Sequence, residues 1–239
     1  MRHSSFSKTV LALTAVGILA LSWFVAAPSR AAEEAFIIPP PASDVAPSDG
    51  LKKLVLAGGC FWGVQGVYQH TVGVTQAVSG YSGGLARTAN YDTVGRGTTG
   101  HAEAVEITYD PKKISFGKLL QIYFSVVHDP TQLNRQGPDS GTQYRSTVFS
   151  SDNTERKAVE DYIAQLNGAK VYKKSIATTL EPLQGFYAAE DYHQDYLTLN
   201  PNQPYIVFND LPKVENLKKV FAENYRAKPV LVRDVKASN

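Results

Sequence analysis

The chain is poor in sulfur: its 239 residues include one cysteine, Cys60, and one methionine, Met1. A single thiol excludes an intramolecular disulfide, an iron–sulfur cluster and a zinc site built from several cysteine ligands. Any covalent chemistry at Cys60 therefore involves this thiol alone or a second molecule.

The sequence also lacks an excess of positive charge once its first residues are set aside. Residues 1–31 contain Arg2, Lys8 and Arg30 and no acidic residue, so without them Lys plus Arg falls from 24 to 21 against 22 Asp plus Glu, a net charge of −1. A basic patch that attracts nucleic acid or anionic lipid is not supported by this balance. The hydrophobic fraction, 43%, is high enough for a folded domain with a real core.

The N-terminus has the pattern of an export signal. Basic residues at positions 2, 3 and 8 precede an uncharged stretch rich in Leu, Val and Ala, which runs for 19 residues from Thr9 to Ala27. Small residues on either side of Arg30 suit cleavage before Ala32. The length of the stretch also suits a retained membrane anchor through residues 9–27. Both alternatives predict an exported protein, periplasmic or secreted, the second with membrane attachment.

The rest of the sequence predicts a single domain of the α/β (α+β) class at residues 51–226. Residues 32–50 contain four prolines and no apolar periodicity, which indicates an extended linker, and residues 227–239 are expected to form a loosely ordered tail. Short apolar runs predict strands, and apolar stripes at helical spacing predict helices. The strands are expected at 54–57, 74–81, 104–109, 145–150 and 176–180, and the helices at 60–70, 115–128, 151–167 and 214–225.

Cys60 is the first candidate for chemistry because it follows Gly58-Gly59 at the predicted start of a helix. Unpaired backbone N–H groups and the helix dipole favour a thiolate at that position. Phe61 and Trp62 come next and would form an apolar wall beside the sulfur. The alternative is that Cys60 is a small buried hydrophobe and the two aromatic residues are core anchors.

Four other residues could act on a ligand oxygen. Glu103 begins an apolar strand, where shielding from water would raise its pKa and allow it to donate a proton, unless it is a solvated strand-end residue. Tyr91, Tyr144 and Asp139 could supply hydrogen bonds, or could be two surface tyrosines and a turn-forming aspartate. The G-x-G-x-x-G pattern at residues 95–100 is not a dinucleotide site, because a strand and not a helix is predicted to follow it.

Six motifs occur in an order that closely resembles the A-type peptide-methionine sulfoxide reductases, from Leu51 to Tyr225. They are Gly59-Cys60-Phe61-Trp62-Gly63, Gly80-Tyr81-Ser82-Gly83-Gly84, Gly100-His101-Ala102-Glu103, His128-Asp129-Pro130-Thr131, Gly141-Thr142-Gln143-Tyr144-Arg145-Ser146 and Ala189-Glu190-Asp191-Tyr192-His193-Gln194. The resemblance implies an α/β domain with a mixed sheet flanked by helices. It also implies reduction of the S epimer of methionine sulfoxide, free or in oxidised proteins.

The resemblance assigns a role to each candidate residue. Cys60 would attack the sulfoxide sulfur, and Phe61 and Trp62 would enclose the S-methyl group. By the same resemblance, Glu103 would protonate the sulfoxide oxygen, and Tyr91 and Tyr144 would bind that oxygen. Asp139 would support the site. The products would be methionine and a sulfenic acid on Cys60. No bound cofactor or metal is implied, but an external thiol, either small or on a thioredoxin-like protein, must reduce the sulfenic acid.

The sequence departs from the family pattern at two points. Many relatives have Glu where this chain has Gln65, and we expect this change to alter local hydrogen bonding without abolishing activity. Many relatives also have resolving cysteines near the C-terminus, whereas this chain has none after Cys60. It therefore resembles a one-cysteine member that cannot close an internal disulfide.

Two other functions remain open on the sequence alone. Cys60 could serve a cysteine hydrolase with His193 or His101 as the base and an acid such as Asp191 to orient it. The chain could instead be an exported peptide-binding protein that captures oxidised methionine in an aromatic pocket without turning it over.

Overall fold

The computed structural model describes Met1 and residues 35–237. Apart from Met1, the predicted export signal at residues 1–31 lies outside the described residues, as do the first three residues of the predicted linker. Within the described part of the chain, none of the helices combines the length and the apolar character needed to cross a bilayer.

The described residues form eight strands and seven α-helices. The strands are β1 Lys52–Gly58, β2 Val74–Ser82, β3 Ala102–Tyr109, β4 Arg135–Gln136, β5 Asp139–Ser140, β6 Ser146–Phe149, β7 Thr179–Glu181 and β8 Phe186–Ala188. The α-helices are α1 Phe61–Gln69, α2 Tyr91–Val94, α3 Phe116–Ile122, α4 Asn153–Gly168, α5 Tyr196–Leu199, α6 Leu211–Val220 and α7 Val232–Ala237.

Six of the strands form one mixed sheet in the order β7-β6-β1-β3-β2-β8. Neighbouring strands are antiparallel except β6 and β7, which are parallel. The remaining two strands, β4 and β5, pair with each other in a short hairpin. The predicted fold class, a single α/β domain with a mixed sheet flanked by helices, is confirmed.

Strand β1 is apolar at every position from Leu54 to Ala57 because both faces of the sheet are covered. Successive side chains of a strand point to opposite faces. Leu54 and Leu56 join the main core, whereas Val55 and Ala57 join a smaller cluster on the other face. The strand therefore ends, buried on both sides, directly before the glycine turn that leads to Cys60.

The predicted helix at 115–128 is one continuous helical segment with a change of pitch. Ser115 caps α3 by accepting a hydrogen bond from the Lys118 N–H, and residues 123–127 continue as a π-helical turn. From this turn the Tyr123 hydroxyl donates to the Ala57 carbonyl oxygen at 2.6 Å. The end of β1 is thus fixed from the helical layer.

The prediction misplaces the start of one strand and the end of one helix, and it omits the short elements α2, α5, α7, β4, β5 and β8. Residues 176 and 177 do not begin a strand, because their N–H groups donate to Asn167 Oδ1 and the Pro130 carbonyl, so β7 starts at Thr179. The last long helix, α6, spans 211–220 and gives way to a 3₁₀ turn before Tyr225. The three-residue edge strand β8 was not predicted, since it is too short to show an alternating pattern.

The part of the linker that the structure describes contains no helix or strand, and residues 36–44 are packed against the domain. We call these residues the N-terminal strap. Ile38 is buried, and its carbonyl accepts from Gln121 Nε2 at 2.8 Å. The Tyr162 hydroxyl donates to the Pro39 carbonyl at 2.7 Å. The strap therefore belongs to the folded unit, because side chains of α3 and α4 donate hydrogen bonds to its carbonyl groups.

The tail is also attached over part of its length, which differs from the expectation that it is loosely ordered. Leu231 and Val232 are buried. The Val232 and Arg233 N–H groups at the start of α7 donate to the carboxylate of Asp195. These contacts fix the residues on either side of 232 against the domain.

Candidate active site

The turn between β1 and α1 sets the position of Cys60. Gly59 has a φ of +88°, and a Cβ atom there would lie 2.6 Å from Cβ of Gln136, so a side chain is excluded on both counts. Cys60 follows as the residue immediately before α1 and is 7% exposed. The sequence thus places the thiol just beyond the C-terminal end of β1, an interior strand of the sheet, beside the first turn of a helix.

All seven residues that the sequence singled out line one cleft of about 240 Å³. They come from five separate segments of the chain, and the fold brings them together. The lining consists of Cys60, Phe61, Trp62, Tyr91, Glu103, Asp139 and Tyr144, joined by Gln203 and Tyr205.

Cys60 is not the thiolate that its position at the start of a helix predicts. Burial raises the pKa of Cys60 well above its ordinary value, and the nearby Glu103 and Asp210 carboxyls raise it further. The Trp62 N–H and the Lys213 ammonium lower it by less. In the free protein Cys60 therefore carries its proton, because loss of water outweighs the helix dipole.

Glu103 is an acid that keeps its proton at neutral pH. It is buried, and desolvation raises its pKa to about 8 even though one carboxyl oxygen, Oε2, accepts a hydrogen bond from the Phe61 N–H at 3.0 Å. Asp139 and Asp210 add repulsion that favours the neutral form. A carboxylic acid with this pKa can deliver a proton to a ligand at neutral pH.

Two phenols complete the polar side of the cleft. Burial raises the pKa of both Tyr91 and Tyr144, so each hydroxyl stays protonated and able to donate a hydrogen bond. Tyr91 opens the short helix α2, where its N–H donates to Glu190 Oε1 at 3.0 Å. The other oxygen of Glu190 accepts from the Tyr81 hydroxyl at 2.9 Å. Glu190 thus ties α2, with its tyrosine, to the central sheet.

The apolar side of the cleft is an aromatic wall. Phe61 is fully buried, whereas Trp62 is half-buried and stacks on Tyr196 with ring centroids 3.9 Å apart. Tyr205 meets the Trp62 ring edge-on at 6.0 Å, and its hydroxyl donates to Asp139 Oδ2. A small apolar group such as a methyl would fit against these rings, close to the thiol.

His193 fixes the orientation of the indole. Trp62 Nε1–H donates to His193 Nδ1 at 3.2 Å, which requires that nitrogen to be unprotonated. The imidazole is buried and contacts the rings of Phe61 and Tyr91, with centroids 5.1 and 4.3 Å away. Burial also lowers the pKa of His193, which keeps Nδ1 available as an acceptor.

Neither histidine is arranged as the base of a hydrolase. His193 uses Nδ1 for Trp62, and His101 accepts from the Gly84 N–H and faces the Leu85 carbonyl with its other nitrogen. Neither residue lines the cleft that holds Cys60. The geometry thus favours a protonated carboxyl, and not an imidazole, as the partner of the thiol.

Several residues of the site were missed by the sequence reasoning. Tyr205 and Gln203 lie in a segment rich in Pro and Asn that contains none of the six motifs. On the sequence alone His193 is a candidate only as a base, and Glu190 has no assigned role. An aromatic residue inside a polar, Pro-rich stretch is the one signal that could have singled out Tyr205.

Gln65, the departure from the family pattern, is buried in a satisfied network. Its Nε2 donates to the Ala77 carbonyl at 3.0 Å and to Gln194 Oε1 at 2.8 Å, and its Oε1 accepts from the Asp195 N–H at 2.9 Å. Gln65 does not line the cleft. Its amide therefore joins α1 to the segment after β8 and takes no direct part in chemistry.

We predict that His193→Phe raises KM for methionine sulfoxide, the substrate that the resemblance implies, by about three- to tenfold, the net worth of one hydrogen bond, with a smaller change in kcat. The phenyl ring keeps the packing but cannot accept from the indole. Steady-state kinetics of this variant and of His193→Asn, whose Oδ1 can replace Nδ1, measure the effect. In a Trp62→Phe background the effect of His193→Phe should vanish; an undiminished effect there would show that the hydrogen bond is not the cause.

Comparison with known proteins matches this sequence and fold to one family. The profile of the family described as peptide methionine sulfoxide reductase matches residues 52–225. The peptide methionine sulfoxide reductase MsrA 2 of Mesorhizobium japonicum is 62% identical over 190 residues, which cover 80% of this chain and 96% of that protein. Its namesake from Synechocystis is 44% identical over 195 residues, covering 80% and 91%.

Solved structures agree with the sequence relatives. The reduced form of Mxr1 from Saccharomyces cerevisiae superposes with a TM-score of 0.58 at 33% identity, over 68% of this chain and 92% of that one. Methionine sulfoxide reductase A of Corynebacterium diphtheriae superposes with a TM-score of 0.55 at 32% identity, over 72% and 86%. The chain therefore belongs to the MsrA family of peptide methionine sulfoxide reductases.

Proposed function

We propose that the protein is a thiol-dependent, one-cysteine reductase that converts methionine (S)-sulfoxide, free or in proteins, to methionine through a sulfenic acid on Cys60. The observation that carries the proposal is the single cleft in which a thiol, a protonated carboxyl and two phenols face a wall of aromatic rings. This set matches what an oxygen transfer from sulfoxide to thiol requires: a nucleophile, a proton donor, and groups that bind oxygen and methyl separately.

In the proposed reaction the substrate S-methyl lies against Phe61 and Trp62, and its oxygen faces Tyr91, Tyr144 and Glu103. The Cys60 sulfur attacks the sulfoxide sulfur while Glu103 protonates the oxygen. The S–O bond of the substrate breaks, a Cys60 S–O bond forms, and the proton of the thiol restores Glu103. Methionine leaves, and Cys60 remains as the sulfenic acid, so that atoms and charges balance without any cofactor.

The return to the thiol requires a reductant from outside. Because Cys60 is the only cysteine of the chain, the sulfenic acid cannot be resolved by an internal disulfide. A small thiol or a thioredoxin-like protein would form a mixed disulfide with Cys60, and a second thiol would then attack the reductant's sulfur and release Cys60 as a thiol.

We further propose that the enzyme repairs oxidised exported proteins. The support is the basic and then uncharged pattern of residues 1–31, which either is cleaved before Ala32 or remains as an anchor through residues 9–27. In the periplasm or outside the cell the cytosolic thiol pools do not reach the enzyme. Its reductant would then be a thiol supplied across or at the membrane.

Separate incubation with the two epimers tests the proposed reaction. We expect methionine to form from the S epimer in the presence of dithiothreitol, with no turnover of the R epimer and none without thiol. The methionine formed in each incubation gives the rate for that epimer. Equal consumption of the two epimers would contradict the proposal, and binding without any methionine would identify a capture protein instead.

A further inference from the structure

Cys60 borders a second cavity besides the substrate cleft. This cavity is lined in part by Lys213, Asn209 and Gly137, none of which lines the cleft. The two cavities share three residues: Cys60, Asp139 and Tyr205. The hydrogen-bonded pair of Tyr205 and Asp139 therefore borders both cavities, as Cys60 does.

Reduction of a sulfenic acid has a directional requirement that one cavity cannot meet. A thiolate displaces oxygen from sulfur along a nearly straight line, with the nucleophile opposite the leaving oxygen. In the proposed reaction the oxygen reaches Cys60 from the side of Tyr91, Tyr144 and Glu103. The attacking thiol must then approach from the other side of the sulfur, and the second cavity is lined by none of these three oxygen-binding residues.

The lining of the second cavity suits a thiolate that carries a hydrogen-bond donor. Lys213 has its ammonium 3.1 Å from Asp210 Oδ1, and its side chain is 15% exposed. This cation can attract and stabilise the attacking anion. Asn209 donates from Nδ2 to the Tyr205 carbonyl at 3.0 Å, and its buried Oδ1 has no hydrogen-bond partner among the described residues. Asn209 lines the cavity, and an O–H or N–H of the incoming thiol would satisfy this oxygen once the amide turns toward the ligand.

We propose that the second cavity is the binding site of the reductant, a low-molecular-weight thiol bearing an O–H or N–H group, which attacks oxidised Cys60 from the side opposite the substrate cleft. The inference rests on the proposed sulfenic acid. It adds that substrate and reductant use different entrances to the same sulfur.

The chemistry at this site balances with two thiols. The first, as thiolate, forms a disulfide with the Cys60 sulfur, and the hydroxyl group takes a proton from Glu103 and leaves as water. The second thiol attacks this mixed disulfide, frees Cys60 as a thiol and leaves as the disulfide of the two reductant molecules. The two thiols supply the two electrons that methionine sulfoxide took up.

The test asks whether product in the cleft blocks the reductant. The wild-type protein is oxidised with one equivalent of methionine (S)-sulfoxide, and the loss of sulfenic acid on addition of 2-mercaptoethanol is followed with and without excess N-acetylmethionine. The N-acetylmethionine concentration is chosen so that it slows the first step at least fivefold. We expect the thiol step to change by less than twofold, whereas a fivefold slowing would overturn the second entrance.

A matched pair of variants tests the role of the cation. Lys213→Gln should slow the thiol step roughly fivefold, while Lys218→Gln, on the same helix but outside the cavity, should leave it unchanged. The amplitude of methionine formed in one turnover, one per chain, checks that each variant is folded and oxidised. Equal rates of sulfenic acid loss in the two variants would contradict a role for Lys213 in binding the reductant. Absence of any sulfenic acid would instead contradict the proposed function, independently of where the thiol binds.

Discussion

Glu103→Gln should lower kcat by about 10²–10⁴-fold, the usual contribution of a general acid. Glutamine can still accept the hydrogen bond that the Phe61 N–H donates to Glu103, so the cleft keeps its shape and loses only the proton. Steady-state rates of methionine formation at saturating sulfoxide measure the effect. A loss of less than tenfold would assign the proton to another group.

Gln65→Glu is the matched control for this substitution, because it exchanges the same two side chains in the opposite direction. At position 65 a carboxylate would face two acceptors, the Ala77 carbonyl and Gln194 Oε1, to which the amide now donates. We expect a clear loss of thermal stability and a much smaller loss of kcat than for Glu103→Gln. Comparable losses of rate in the two variants would mean that the acid is misassigned.

The same carboxyl predicts that rate and stability both fall as pH rises. The wild-type rate should fall as pH rises through about 8, where Glu103 loses its proton, and this limb should be absent in Glu103→Gln. The folded-state pKa lies above the ordinary value of 4.5, so between these values the folded protein holds a proton that the unfolded chain has released. Its contribution to stability is therefore lost as pH rises, and Glu103→Gln should melt at a higher temperature than the wild type at pH 8 but not at pH 5.

Cys60→Ser should abolish methionine formation altogether, the largest effect expected of any substitution here. A hydroxyl in the same place is a far weaker nucleophile than a thiol, and it has no lower-energy path to an oxidised product. The wild-type protein treated with sulfoxide in the absence of thiol should yield one methionine per chain and then stop. Quantitative methionine analysis of both proteins makes the comparison.

The oxidised state left by that single turnover gives an independent check. A sulfenic-acid trap followed by intact mass measurement should add one label per chain, located at Cys60. Burial of the sulfur beside Phe61 argues against a Cys60–Cys60 disulfide between two chains. Two methionines per chain, or a disulfide-linked dimer in place of the labelled monomer, would contradict the one-cysteine mechanism.

The parts of this molecule that could be predicted from sequence are those whose information is local. The apolar run at Leu54 to Ala57, the glycine turn and the helix from Phe61 follow one another directly, so the setting of Cys60 follows from neighbouring residues. Helix α4 likewise carries its own cap, since Asp152 accepts from the N–H groups of Thr154 and Glu155. Ordered motifs then allowed distant residues such as Glu103 and Tyr144 to be assigned together by resemblance.

The parts that could not be predicted depend on contacts across the chain. The protonated state of Cys60 follows from desolvation and from Glu103 and Asp210, and no local pattern reports either. Tyr205 acquires its role only when its hydroxyl meets Asp139, 66 positions away, and His193 only when it meets Trp62, 131 positions away. The helix-start rule therefore favoured a thiolate where the tertiary structure gives a thiol.

The position at which the N-terminal strap begins limits the distance between the catalytic domain and a membrane to which the chain is anchored. Its hold on the domain begins at Phe36, whose N–H and carbonyl both bond to Ser125. If residues 9–27 stay in a bilayer, the eight residues 28–35 are the whole tether, and at full stretch they reach only about 28 Å. A tether of that length would limit repair to oxidised proteins close to the membrane surface. Cleavage before Ala32 would instead leave four residues ahead of the strap. The enzyme would then be free of the membrane and would reach its targets by diffusion.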